Sequence, residues 1–293
     1  MAIDSSINLR NDVVFKFVFG YEKNEKLLIS LLNAILGLTG DKKIASLTFL
    51  NTFNVKEYLK DKLTILDVKA VDSTGVRFDV EMQVAPDKSY LQRMMYYLDK
   101  LYTEQLKEKE PYEKLCKAIS ISILDFIFFE EEGDLHNIYR YLNIKSKREL
   151  TDLKEIHFIE LPKFKKDKPK RDMEKFEKWL LVLKFGELYA NDIENLPEEL
   201  KQEEEIVMAL QEMIRASNDD MVREILDMRS KARHDEASRL YQAKQEGEEI
   251  GEQRGILKGY EEVAKNAYKE GQSLELISKI TGLPIEKLKQ ILK

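Results

Sequence analysis

Two acidic residues in the stretch Leu63 to Val84, Asp67 and Glu81, are the side chains of this sequence most able to do chemistry. The second half of the stretch alternates cleanly. Val76, Phe78, Val80, Met82 and Val84 fall on one face, and Arg77, Asp79, Glu81 and Gln83 on the other, which is the period of a strand with one buried face. Ser73-Thr74-Gly75 suits a three-residue hairpin loop with Gly75 in the left-handed region. Facing residues then carry numbers that sum to 148: Leu66 meets Met82, Val68 meets Val80, Ala70 meets Phe78, Lys69 meets Asp79, and Asp67 meets Glu81. A slip of one residue would set apolar against polar throughout, so the pattern specifies the pairing.

Carboxylates that face each other across two strands have Cβ atoms about 5 Å apart. At that distance one must lose its charge, gain a cation, or share a metal ion. Magnesium is the natural ion, with manganese as its substitute, because it takes one or two carboxylates, water and phosphate oxygens without a dedicated cage. An ion held there could polarise a phosphodiester and lower the pKa of an attacking water. The same two residues also read as the solvated side of an antiparallel sheet, and spacing alone leaves both readings open.

The hairpin has to be held by what surrounds it. Residues 13–38 show helical spacing, with Gly20 and Gly37 to Gly40 as punctuation. Residues 44–56 look extended, 63–71 and 76–84 form the hairpin, and Pro86 stops its second strand. Ser89 is placed to cap an amphipathic helix over about 90–109, carried by Leu91, Met94, Leu98, Leu101, Tyr102 and Leu106. Residues 118–129, AISISILDFIFF, are nearly all apolar, as in a central strand covered on both faces. A short strand over 154–161 and a basic loop from Lys163 to Arg171 follow, and the rest reads as helices over 172–190, 198–216 and 219–246 with a tail to Lys293. The order α–β–β–β–α–β followed by helices predicts an α/β core with a helical C-terminal region.

Composition narrows the function. The chain has 293 residues, with 48 Lys and Arg against 54 Asp and Glu, a formal charge of -6. That excludes a generally basic nucleic-acid binder, so any DNA must be met through a local basic groove. The single cysteine, Cys116, excludes a disulfide scaffold and a Cys-based zinc site. No apolar run reaches the length of about 18 residues that a membrane span needs, and the first ten residues lack a basic-then-apolar leader. A soluble, cytoplasmic protein is expected, without membrane contact.

These residues resemble the PD-(D/E)XK nuclease family transposases, also described as recombination-promoting nucleases. The likeness runs from Asn11-Asp12-Val13-Val14-Phe15-Lys16-Phe17 through Ile65-Leu66-Asp67-Val68-Lys69-Ala70 and Val80-Glu81-Met82-Gln83. It continues to Tyr90-Leu91-Gln92-Arg93-Met94-Met95-Tyr96-Tyr97, with Lys100-Leu101-Tyr102 and Gln105-Leu106 beyond. It covers roughly residues 8–185, and the order and spacing of the motifs are more specific than any one of them. It implies a restriction-endonuclease-like core, with Asp67 and Glu81 holding magnesium beside a backbone carbonyl near Met82. Gln83 falls where the wider superfamily usually has a lysine, and Lys16 and Lys69 are the candidates to supply that charge. Asp12 either completes the acidic site from the first helix or caps that helix. The corresponding domains are 1–170 for the nuclease-like part, 171–246 for a helical region, and 247–293 for a glycine-striped helix and helical hairpin.

The remaining signals are weaker. Arg93 and Tyr97 lie one helical turn apart and could touch DNA phosphate together, or serve a solvated face and the core. Lys163, Lys165, Lys166, Lys168, Lys170 and Arg171 could meet a DNA backbone or form a solvated loop. His136, His157 and His234 show no metal-ligand spacing, and Trp179 reads as a core anchor. Gly247, Gly251, Gly255 and Gly259 would form a stripe on a helix, suited to close approach of another helix from a second copy, or else mark a frayed segment. Residues 273–292 read as a helical hairpin with Ser273 as cap, an apolar face of Leu274, Ile277 and Ile280, and a turn at Thr281-Gly282, suited to packing, dimerisation or DNA. Three functions compete: a magnesium-dependent DNA endonuclease, an inactive nuclease-fold protein that binds DNA or partners, and an oligomeric scaffold.

Overall fold

The computed structural model describes residues 7–50, 68–165 and 168–292. The first helix, α1 (Asp12–Phe19), starts at Asn11, whose side chain accepts from the Val13 and Val14 backbone N–H groups. Asn11, not Asp12, is therefore the cap. α2 (Glu25–Ile35) follows, buried along Leu27, Leu28, Leu31 and Leu32.

Six strands among the described residues form one sheet in the order β1-β2-β3-β4-β6-β5. β1 (Leu47–Phe49) is all that is extended of 44–50, and residues 51–56 lie outside the described ones. β2 (Val68–Asp72) and β3 (Arg77–Gln83) form the expected hairpin. Val68 pairs with Val80, Lys69 with Asp79, Ala70 with Phe78 and Val71 with Arg77, the predicted register. Gly75 has φ +90°, and Asp72 Oδ1 holds the turn by accepting from the Thr74 and Val76 backbone N–H groups and the Thr74 hydroxyl. Leu66 and Asp67, with the rest of 51–67, lie outside the described residues.

β3 is an inner strand. It pairs in parallel with β4 (Ala118–Leu124), and β4 pairs in parallel with β6 (Glu149–Glu160). Every residue of β4 is buried, as its composition predicts. The strand ends at Leu124, earlier than the apolar run suggests, because the buried Glu160 carboxylate takes the N–H groups of Phe128 and Phe129 at 2.6 and 3.1 Å and folds that segment back. β5 (His136–Leu142) pairs antiparallel with β6 at the sheet edge. It was not expected, because its edge position leaves most of its residues exposed and blurs the alternation that marks a strand.

Helices cover both faces. On one face, Phe78, Val80, Met82, Ile119, Ile121 and Ile123 share a core with α1, α2, α4 (Lys175–Ala190) and α6 (Glu204–Ser217), where Trp179 is fully buried and its Nε1 donates to Ser30 Oγ at 3.2 Å. A short α5 (Glu198–Lys201) precedes α6. On the other face lies α3 (Tyr90–Thr103), with Tyr90, Met94, Leu98 and Leu101 buried. Ser89 does not cap it; its hydroxyl and N–H go to the Asp87 carboxylate. The helix stops six residues short of the expected end because Gln105 leaves it to pair with Cys116, donating to its carbonyl at 2.9 Å and accepting from its N–H at 2.8 Å.

The chain divides into two compact units, Met1–Asp227 and Met228–Lys293. α7 (Asp220–Lys269) is one continuous helix, so the glycine stripe is helical and not frayed. In the second unit, α8 (Leu274–Thr281) and α9 (Ile285–Ile291) pack Ile277, Leu283 and Leu288 on Ala264. Ser273 caps α8 as expected, but Ile280 is exposed and Leu283 takes its place in the small core.

Candidate metal site on the β2–β3 hairpin

The face of β3 that carries Asp79, Glu81 and Gln83 is not the open side of a two-stranded sheet. β4 lies beside it and α3 lies over it. Asp79 is 7% exposed, while the Glu81 side chain keeps 16% and so stays in reach of solvent. Glu81 accepts a hydrogen bond from the Gln83 amide nitrogen. The Arg93 guanidinium, from the first turns of α3, lies 3.8 Å from Glu81 Oε1 and donates to Asp87 at 2.7 Å.

Two residues that the sequence reading did not single out border this group. Ser122 is the Cα partner of Glu81 on β4. Tyr90 is buried on α3 under the Arg93 guanidinium, 5.7 Å from the ring centroid. Burial, and then the charge of Glu81, pushes the Tyr90 hydroxyl far above its ordinary pKa, so it stays a proton-bearing group. Ser122 and Tyr90 both reach Glu81 only through the parallel pairing of β4 and the packing of α3, which leave no mark at short spacing.

Among the described residues, no three His, Cys, Asp or Glu side chains converge as a metal-binding group. Asp67, the expected partner of Glu81, lies outside them. The Met82 side chain is buried in the core on the opposite face, so it offers an ion no side-chain ligand. Asp12 lies in the first turn of α1. Its neighbour Arg10 is 3.6 Å from Asp125, whose backbone N–H donates to the Gln83 carbonyl at 2.9 Å, so the start of α1 and the end of β3 share one rim of the sheet. Lys16 is buried at 3% exposure. Lys69 Nζ lies 5.2 Å from the Tyr97 ring centroid, which joins the hairpin to α3.

The basic loop is partly committed elsewhere. Lys163 donates to the carbonyls of Phe129 and Glu132 at 2.9 and 2.6 Å and pairs with Glu160, and Lys168 pairs with Glu177 at 2.6 Å.

A sequence model of the PD-(D/E)XK nuclease family transposases matches residues 9–243. The chain belongs to that family. The match reaches well beyond the motifs of the hairpin, into α7. No curated protein and no solved structure matches the chain. The mixed six-stranded sheet flanked by helices, with helices after it, is the PD-(D/E)XK nuclease-like α/β fold with a helical C-terminal region. Among the described residues no helix is long and apolar enough to cross a membrane.

Proposed function

We propose that this family member is a magnesium-dependent endonuclease that hydrolyses phosphodiester bonds of DNA, as a recombination-promoting, transposase-like nuclease would. The observation that carries the proposal is the group at the carboxyl end of β3: a solvent-reaching Glu81 carboxylate bonded by Gln83, with Arg93 3.8 Å away. Glu81, the Met82 carbonyl and Asp67, immediately before Val68, are hard oxygen donors of the kind magnesium or manganese takes. The ion, when bound, polarises the phosphodiester and makes water a better nucleophile at neutral pH.

The rest is done by the chain. Gln83 fixes the Glu81 side chain and orients water or phosphate through its amide. Arg93 meets the charge that develops on phosphate, the task of the lysine that Gln83 replaces. Lys69 and Tyr97 hold the DNA backbone beside it. Asp12 acts from the start of α1, at the same rim, while Lys16 is buried one turn further along that helix. Glu81→Gln tests the reading. With magnesium, the parent should nick supercoiled plasmid, and the variant should lose at least a hundredfold in rate while unfolding at the same temperature. Plasmid left intact by the parent, or equal rates, would overturn it.

Gln83 in place of lysine also favours a second reading, a nuclease-fold protein that binds DNA without cutting it. Calorimetry separates the two: magnesium or manganese heat that disappears in Glu81→Gln belongs to the first, and DNA binding without metal uptake belongs to the second.

Assembly through the C-terminal helices is also part of the proposal. Gly247, Gly251, Gly255 and Gly259 are exposed, with open space where a Cβ would stand, which leaves room for a second copy. Light scattering should give fewer copies per particle for a chain ended at Asp227 than for the full chain, and an equal number would remove the tail from the account.

A further inference from the structure

A second cluster of charge lies on the sheet face opposite Glu81. Glu155 and His157 on β6 are 3% and 2% exposed. The Glu155 carboxylate spends one oxygen on His157 Nε2, at 2.7 Å, and the other on two cations, Lys117 Nζ at 3.0 Å and Arg140 Nε. Burial alone would raise its pKa, but the hydrogen bonds from His157 and Lys117 hold it at about 2, so it is ionised. One cation is enough to neutralise a buried carboxylate. The sequence supplies two, and all three charged groups line a cavity of about 490 Å³.

Phe78, Ile119 and Ile138 form an apolar part of the wall, Asp72, Ser73 and Thr74 a polar part, and Lys42 and Lys43 stand exposed in the lining. Its lining acids are Asp41, Asp72 and Glu155, and two further acids outside the lining, Glu149 and Asp152, pair with Arg140 and Lys117. Asp72 Oδ1 accepts three bonds from its own turn. Glu149, on Arg140 Nη1 at 3.0 Å, and Asp152, 3.6 Å from Lys117, are 42% and 60% exposed, and Asp41 is exposed as well. The lining itself holds four cations against three acids, a surplus of one positive charge. Arg140 gives Nε to Glu155 and Nη1 to Glu149, which leaves Nη2 beside Lys117 as the donor for a phosphate group.

We propose that this cavity binds a small phosphate monoester with an apolar or aromatic body, of mononucleotide size. The phosphate sits on Arg140 and Lys117, and the body lies against Phe78, Ile119 and Ile138. The volume is within the range of about 300–1,000 Å³ usual for small-molecule sites. The site is separate from the hairpin carboxylates, which use the other face of β3, and does not depend on nuclease activity.

The test is calorimetric titration of the full-length chain, in EDTA, with adenosine 5′-monophosphate, inorganic phosphate and adenosine. The nucleotide should saturate, inorganic phosphate should bind at least tenfold more weakly and compete, and adenosine should give no heat. Ile138→Trp and Ala45→Trp, at exposed lining positions that can be enlarged without disturbing the core, should weaken the nucleotide at least tenfold at an unchanged melting temperature. Lys42→Glu with Lys43→Glu should weaken it at least threefold, and Glu81→Gln should leave it unchanged. No saturation by millimolar nucleotide overturns the proposal. So does binding that survives both tryptophan variants, or that is lost in Glu81→Gln while they retain it.

Discussion

At the scale of single residues, the candidate site turns on where a positive charge stands relative to Glu81. Lys16 is buried and Lys69 lies against the Tyr97 ring, whereas Arg93 approaches the carboxylate itself at 3.8 Å and is anchored by Asp87. A group that meets charge formed during reaction affects turnover more than substrate binding. Arg93→Ala should therefore lower kcat for plasmid nicking by about 10²–10³-fold, the range for loss of one charge-stabilising donor. Its KM should change less than tenfold, and Arg93→Lys should recover part of the rate. An equal loss in KM alone would make Arg93 a DNA-backbone contact only. Arg93 and Tyr97 were legible in the sequence as a pair one turn apart. The contact of Arg93 with Glu81 was not, because it depends on α3 lying over β3.

At the scale of elements, the hairpin is the part that the sequence specifies most tightly. Alternation on both strands and a turn closed by Asp72 give one register, and the observed pairing of Val68 with Val80 is that register. Its weak point is Gly75. Besides φ +90°, a Cβ there would stand 2.6 Å from Cys116 Sγ, two residues before β4. Gly75→Ala should cost about 1–3 kcal/mol in denaturant unfolding, from backbone strain and the clash together. Adding Cys116→Ala should return the part due to the clash and leave about 1–2 kcal/mol for the backbone. A single variant as stable as the parent would show that the turn is looser than its contacts imply. β5 marks the opposite case: an edge strand with mixed polarity, fixed by pairing with β6 rather than by its own pattern.

At the scale of the whole molecule, two of the three histidines without metal-ligand spacing, His136 and His157, form a chain of hydrogen bonds. Antiparallel pairing of β5 with β6 sets His136 Nε2 2.8 Å from His157 Nδ1, and His157 in turn holds Glu155. Burial, and next the His157 ring, hold His136 at about 4, below its ordinary value of 6.5. Because the unfolded chain takes up this proton first, the stability due to neutral His136 is present above about pH 6.5 and lost as pH falls toward 4. Glu155, held at about 2 against 4.5, adds a loss that begins below about pH 4.5 and runs to about 2. Denaturant midpoints should fall between pH 7 and pH 4 by an amount worth roughly 1 kcal/mol for His136, discounted because its ring is partly exposed. His136→Asn should flatten that span. A variant with the same slope as the parent would assign the acid sensitivity to other groups.

The sequence by itself determined what short range decides: the hairpin and its register, the buried central strand, the helical C-terminal region and the capped terminal hairpin. These follow from periodicity and turn chemistry, which neighbouring residues carry. Tertiary structure decided what crosses the sheet. It put α3 over Glu81, set Ser122 and Tyr90 beside it, ended β4 at the Glu160 carboxylate, and gathered Lys117, Arg140, Glu155 and His157 around one cavity. Those groups come from strands and helices far apart in the chain. Parallel pairing and layer packing join them, and neither leaves a local pattern to read.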